Sequence, residues 1–276
     1  MTRDPARQFG IEFISVLGQE PARFVALAAK LGCNRIGLAA APITGPFGSD
    51  PPWSLRNDPA LVLALKRALA EHDVSVSLGE GFFIMPGRDI ADMTADLDLM
   101  AELGAERLNA CAMEPDPARN RDQFAAFAAL AADRGMPVTV EFMPGTPVPD
   151  LAAGLKFVEA SGAANAGILV DAMHFFCSGG AIETLRAAPV DRIAYAQLCD
   201  ARQASFYDGY FQDARNERLL PGEGALPLAD FLAALPAHCP VGLETPSVAR
   251  AEAGMGHEER LIQALAAARA VSISLP

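Results

Sequence analysis

What most constrains this chain is its rhythm: short apolar or alternating runs recur, and each is followed, after a loop, by a longer segment of helical period. The first run, over 9–15, precedes a helix over 21–31. There Pro21 suits a first helical turn, Phe24, Leu27, Ala28 and Leu31 fall on one stripe, and Gly32 is the stop. A strand over 35–39 with a helix over 59–71 comes next, then a strand over 74–78 with a helix over 89–103. In that helix Ile90, Met93, Leu97 and Met100 share a face, and Gly104 ends it. The pattern continues as 107–110 with 121–134, 138–142 with 150–160, 167–171 with 180–188, 193–198 with 226–235, and 241–244 with 257–271.

Eight strand–helix units in 276 residues suit a closed α/β barrel, (β/α)8, formed by one domain over 1–276, because consecutive parallel strands need crossover helices. Internal similarity supports this. Lys30-Leu-Gly-Cys-Asn-Arg-Ile36 and Glu102-Leu-Gly-Ala-Glu-Arg-Leu108 are one helix-stop-strand passage repeated 72 residues, or two units, apart. An open doubly wound sheet would usually show a Gly-rich phosphate turn after its first strand, whereas Ser15-Val-Leu-Gly-Gln-Glu20 has a single glycine.

Composition narrows the partners. With 34 acidic and 22 basic residues the formal charge is −12, which disfavours nucleic acid and anionic membrane surfaces. The five cysteines are an odd set with no gap shorter than 22 residues, so neither a disulfide framework nor a C-x-x-C site is expected, only reduced and mostly buried thiols. Residues 1–8 are charged and lack an apolar leader, and no run of about 18 apolar residues would span a bilayer. The expectation is a soluble, cytoplasmic protein; a homo-oligomer is left open.

In such a barrel chemistry sits at the carboxyl ends of the strands, so polar residues that end apolar runs are the ones to collect. Glu141 ends Val138-Thr-Val-Glu, Asp171 ends Gly167-Ile-Leu-Val-Asp, Gln197 lies in Ile193-Ala-Tyr-Ala-Gln-Leu, and Glu244 ends Val241-Gly-Leu-Glu. They come from strands five to eight, neighbours around the closed sheet. Any one alone usually reads as just a helix cap or a surface group. Together, three carboxylates in a low-dielectric mouth either rise in pKa or are neutralised by a cation. Oxygen ligands favour one divalent ion, Mn2+ or Mg2+ first, with Co2+ or Zn2+ as further candidates, and the lack of thiolates or several imidazoles argues against structural zinc.

His174, three residues after Asp171, reaches the same rim, to bind a substrate hydroxyl, shuttle a proton or cap a turn. His72, His238 and His257 read as structural. The long loop over 200–225 carries Arg202, Arg215 and Arg218 with Phe206, Tyr207, Tyr210 and Phe211, as a lid or subunit contact. Arg218 precedes Leu219-Leu-Pro-Gly-Glu-Gly224, a turn that would aim its guanidinium at an anion or carbonyl, the alternative being a solvated side chain. Glu12, Glu80 and Asn109 sit near the rim as substrate-binding candidates, and Trp53 and Arg56 either line or pack the pocket.

In these segments, Val-Glu141-Phe, Val-Asp171-Ala-Met-His174, Gln197-Leu-Cys-Asp200, Arg218-Leu-Leu-Pro-Gly-Glu-Gly224 and Leu-Glu244, the chain resembles the xylose isomerase-like TIM barrels. That superfamily includes sugar phosphate isomerases/epimerases, ketose 3-epimerases, inosose dehydratases and 3-dehydroshikimate dehydratases. The resemblance covers nearly the whole chain. It implies that Glu141, Asp171, Gln197 and Glu244 bind one divalent metal, that His174 and Arg218 contact substrate, and that Glu141 and Glu244 are the acid/base pair. Many epimerases have His where this chain has Gln197, which is nearer the 3-dehydroshikimate dehydratase branch. The second strand lacks the acidic residue common in sugar-processing relatives. Endonuclease IV shares the fold, but its histidine-rich trizinc cluster is not supported by 4 histidines and a −12 charge.

The expected activity is metal-dependent isomerisation or epimerisation of a small polyhydroxylated carbonyl compound, by proton abstraction α to the carbonyl through an enediolate. Two alternatives stand beside it: a metal-dependent dehydratase (lyase), and a non-catalytic ligand-binding barrel subunit.

Overall fold

The computed structural model describes residues 8–43 and 52–273. The leader reading over 1–7 and the last residues of the single-domain span, 274–276, lie outside the described residues. Eight strands close into one barrel in chain order, each parallel to its neighbours. They are β1 (Phe9–Ile11), β2 (Arg35–Ala39), β3 (Ser75–Ile84), β4 (Leu108–Ala112), β5 (Val138–Glu141), β6 (Ala166–Asp171), β7 (Ile193–Leu198) and β8 (Val241–Leu243). Among the described residues no helix is long and apolar enough to cross a membrane.

Local chemistry explains where the helices begin and end. Pro21, Pro59 and Pro117 occupy first-turn positions, and the side chains of Glu20, Asp58 and Asp116 accept backbone N–H bonds there, each such cap contributing about 1 kcal/mol. Gly32 and Gly104, at equivalent points of the repeated passage, adopt φ of +78° and +72°, a left-handed conformation that L side chains avoid. The expected stripes face inward: Phe24, Leu27 and Ala28 are buried, as are Ile90, Leu97 and Met100. Between β3 and the outer helices Phe82, Phe124, Phe127 and Phe157 pack ring against ring, with centroids 5.1 to 6.4 Å apart.

The largest departures from the expected boundaries are four. The first strand stops at Ile11, and the apolar residues after it form a buried 3-10 turn, Phe13–Val16; an apolar run this short does not distinguish strand from buried turn. The third strand runs on to Ile84. The fourth helix opens at Pro117, because the Asp116 carboxylate caps Arg119 N. After β6 a helix Ala172–Cys177 follows at once, capped by Asp171 itself, and the expected helix is reduced to Ile182–Ala187.

Candidate active site

Strand register places the strand-end residues. Glu141 is level with Cys111 and Leu169, Leu169 with Tyr195, and Asp171 with Gln197, which is level with Gly242. Leu169 and Tyr195 pack with Leu78 in a small fully buried cluster. Their level partners and their neighbours two residues on share that face, because strand side chains alternate with period two.

A cavity of about 710 Å³ opens above this layer, with Glu80, Asn109, Glu141, His174, Arg218 and Glu244 in its wall. Met85, Met113, Met143 and Phe211 make part of the same wall apolar. Asp171, Gln197 and Glu12 do not line it; they are at most 1 % exposed and lie behind the lining residues.

Arg218 organises the β6–β8 side. Its Nη1 is 2.5 Å from Asp171 Oδ2, its Nη2 is 2.6 Å from Glu244 Oε2, and its Nε donates to Ala214 O. Glu244 Oε2 lies off the N–H direction, so that contact is an ion pair without a well-aligned hydrogen bond. Gln197 Nε2 donates to Glu244 Oε1 at 3.1 Å. The other Asp171 oxygen accepts His174 N–H at 2.8 Å. On the β4–β5 side Asn109 Nδ2 donates to Glu141 Oε2 at 2.8 Å, while Thr139 Oγ1 donates to Asn109 Oδ1 and so fixes the amide. His174 bridges the two sides, with Nε2 3.3 Å from Glu141 Oε1 and Nδ1 against the Tyr210 hydroxyl.

The electrostatics follow from these neighbours. Desolvation alone would raise Asp171, but Arg218 and His174 outweigh it and hold its carboxyl below the usual range. Desolvation pushes Glu244 well up, against the pull of Arg218 and with help from Glu141 and Asp171. Burial would lower Arg218, yet Asp171 and Glu244 together raise it.

The long loop contains a helix, Tyr210–Asn216, and does what periodicity could not show. It brings the buried Tyr210 to His174 and stacks Phe206 and Phe211 on Tyr210, centroids 5.1 and 5.4 Å away. Asp200 is a second residue whose part the sequence did not reveal. Fully buried, it accepts N–H bonds from Ala201, Gly222, Gly224 and Leu226 and so ties down the turn that follows Arg218. The signal was present in Asp200 and Pro221-Gly-Glu-Gly224, but a carboxylate can be matched with N–H groups 22 to 26 residues away only once the turn is in place.

Other candidates lie elsewhere. Trp53 packs edge-on against Phe13 and donates Nε1–H to Gly18 O. Arg56 pairs with Asp96 in an outer groove between the helices Pro59–His72 and Thr94–Glu102. Arg215 donates to Ile43 O in the cavity wall, and Arg202 pairs with Asp213.

Among the described residues no group of three His, Cys, Asp or Glu side chains stands arranged to hold a metal ion, since a guanidinium lies between Asp171 and Glu244. The donor chemistry nonetheless fits a divalent cation. Gln197 Oε1 and His174 Nε2 are buried with no hydrogen-bond partner, and Glu141, Asp171 and Glu244 outnumber the single guanidinium among them.

Comparison with known proteins agrees with this fold. A family model described as xylose isomerase-like TIM barrel matches residues 25–269. A 3-dehydroshikimate dehydratase of Pseudomonas aeruginosa is 28% identical over 153 residues, 53% of this chain and 24% of that protein. An inosose isomerase of Halalkalibacterium halodurans is 31% identical over 108 residues, 38% of this chain and 37% of its own length. The chain thus matches well under half the length of either relative. Among solved structures, an IolI protein with a bound zinc atom superposes with a TM-score of 0.79 at 17% identity, covering 98% of this chain and 99% of that one.

Proposed function

Because the chain belongs to the xylose isomerase-like TIM barrel family, we propose that it is a divalent-metal-dependent isomerase or epimerase of a small polyhydroxylated carbonyl compound. The observation that carries this reading is the opening of two carboxyls on separate strands, Glu141 and Glu244, onto one cavity, with His174 and Arg218 in the same wall. Glu141, Asp171, Gln197 and Glu244 would hold the ion, Asp171 and Glu244 exchanging their contacts with Arg218 for it. Its contribution when bound is to polarise a carbonyl and its adjacent hydroxyl.

Glu141, oriented by Asn109, takes the proton from the carbon α to the carbonyl. Glu244, in the same cavity wall, returns a proton. Return on the opposite face yields the epimer, and return at the neighbouring carbon yields the aldose–ketose isomer. His174, held by Tyr210 and the Asp171 cap, keeps an imidazole nitrogen available for a substrate oxygen. Met85, Met113, Met143 and Phe211 give the cavity an apolar part against which the substrate's carbon chain would lie.

A second reading, dehydration of a β-hydroxy carbonyl compound, is favoured by Gln197 and by the dehydratase relative. It shares the proton abstraction and differs in expelling a hydroxyl. The experiment incubates the Mn2+-loaded protein in D2O with inosose, 3-dehydroshikimate and D-fructose in turn. Deuterium entering at carbon without a new double bond is the expected result, and Glu141→Gln should slow it by about 10²–10⁴-fold. An enone or aromatic ultraviolet band establishes the dehydratase instead. Binding with neither change, unaffected by Glu141→Gln, leaves a ligand-binding barrel and rejects both.

A further inference from the structure

Beyond the carboxyls already assigned, the barrel holds a second acidic pair. Glu12 follows β1 and is fully buried, while Glu80, on β3, keeps 9 % exposure in the cavity wall. Between them lies Gly37 of β2. A Cβ there would sit 2.0 Å from Glu12 Oε2 and 2.1 Å from Glu80 Oε1, so both oxygens crowd over the same bare backbone. On the other side of Glu12, a Cβ on Gly242 of β8 would fall 1.5 Å from Glu12 Oε1. Both strands flanking β1 therefore carry a glycine where a side chain would collide with this carboxyl.

The two oxygens over Gly37 are also the two in the pair with no hydrogen-bond donor of their own, Glu12 Oε2 and Glu80 Oε1. Ionised carboxylates only accept, so such a contact between buried acceptors is satisfied when one of them carries a proton. The other contacts decide which. Tyr195 OH donates to Glu12 Oε1 at 2.7 Å, with Ser77 Oγ 3.1 Å from that hydroxyl, and this favours the carboxylate on Glu12. Glu80 accepts the Phe13 backbone N–H, against the Tyr195 hydroxyl with its Ser77 partner on Glu12, so the proton is assigned to Glu80. The strongest charged influences on the pair from outside it, Glu141 and Glu244, are both acidic.

We propose that Glu80 and Glu12 hold one shared proton and act as a relay for a substrate oxygen, separate from the carbon acid and base Glu141 and Glu244. As a substrate hydroxyl O–H breaks, its proton joins the cavity side of Glu80. The O–H that Glu80 already carried then breaks, and that proton passes to Glu12. Negative charge appears on the substrate oxygen as it disappears from Glu12. Run in reverse, the same two transfers protonate an oxygen, as interconversion of carbonyl and hydroxyl requires. In agreement, burial first, then the acidic neighbours, lift Glu12 to about 7 and Glu80 well above the ordinary carboxyl range.

The relay rests on the proposed function, whereas the shared proton does not, and the test separates them. Infrared spectra of the full chain labelled with 13C-glutamate, recorded near neutral pH without substrate, should contain the C=O band of a protonated carboxyl. The band that belongs to the pair is lost in Glu80→Gln, moves in Glu12→Gln and persists in Glu244→Gln, which removes any band of Glu244 itself. A spectrum unchanged by Glu80→Gln overturns the pair, even if turnover is found. On whichever of inosose, 3-dehydroshikimate or D-fructose reacts, Glu12→Gln should lower kcat about tenfold or more while KM stays within about twofold. An unchanged kcat overturns the relay, and so does a protein that turns over none of the three, while the band alone then decides the shared proton.

Discussion

Two sets of buried carboxyls lie within one barrel and have different neighbours. On the β6–β8 side a guanidinium compensates the charge: Arg218 contacts both Asp171 and Glu244, and the Asp171 carboxyl is held down. On the β1–β3 side the strongest charged influences on Glu12 and Glu80 are acidic, and burial lifts both. The residue types are nearly the same. What differs is that a guanidinium holds the Asp171 charge on one side, although burial still lifts Glu244 beside it, whereas on the other side two carboxyls meet over Gly37 with room for a proton.

The strongest way to break this contrast is Arg218→Met. It leaves Asp171 and Glu244 buried without their cation, and urea unfolding at neutral pH should register a loss of about 3–5 kcal/mol. If Glu141, Asp171, Gln197 and Glu244 are the ion's ligands, Mn2+ should raise Tm more in this variant than in the parent protein. An equal response in both would separate the carboxylates from the ion.

The pair on the other side should respond to pH in the reverse sense to a salt-bridged acid. Glu12 titrates near 7 in the folded protein, above its ordinary 4.5, so the folded state binds the proton more tightly through that interval. Its stabilising contribution is therefore full below about 4.5 and declines as pH rises through about 7, by about 3 kcal/mol in all. Glu12→Gln should flatten that decline, as measured by urea midpoints between pH 5 and about 8. A profile as steep in the variant as in the parent would assign the slope to other groups.

The smallest effect expected is that of Tyr210→Phe, which removes one hydroxyl from His174 and leaves the aromatic stack in place. Stability should fall by about 1 kcal/mol, with the kinetic change in KM if His174 binds a substrate oxygen. A fall in kcat at constant KM would move His174 from binding to chemistry.

Much of this was legible in the order of residues. Period two brought Glu141 and Asp171 to the ends of β5 and β6, and helical stripes broken by Gly32 and Gly104 marked the repeating unit. Glu12 was recognised as polar at the right end of the barrel, yet it lies behind Glu80 rather than in the cavity wall, because the chain turns into a buried 3-10 segment at Phe13. Trp53 is committed to packing on Phe13, a contact across 40 residues that no local pattern encodes.

The alternation of apolar runs and amphipathic segments determined the number of units, their order and the end of the barrel where acids collect, since each depends on neighbours a few residues away. Which acid meets Arg218, which meets another acid over Gly37, and that Tyr210 reaches His174 were decided by barrel closure. Closure sets distances between groups 36 to 68 residues apart, and the charge and proton each group carries depend on those distances.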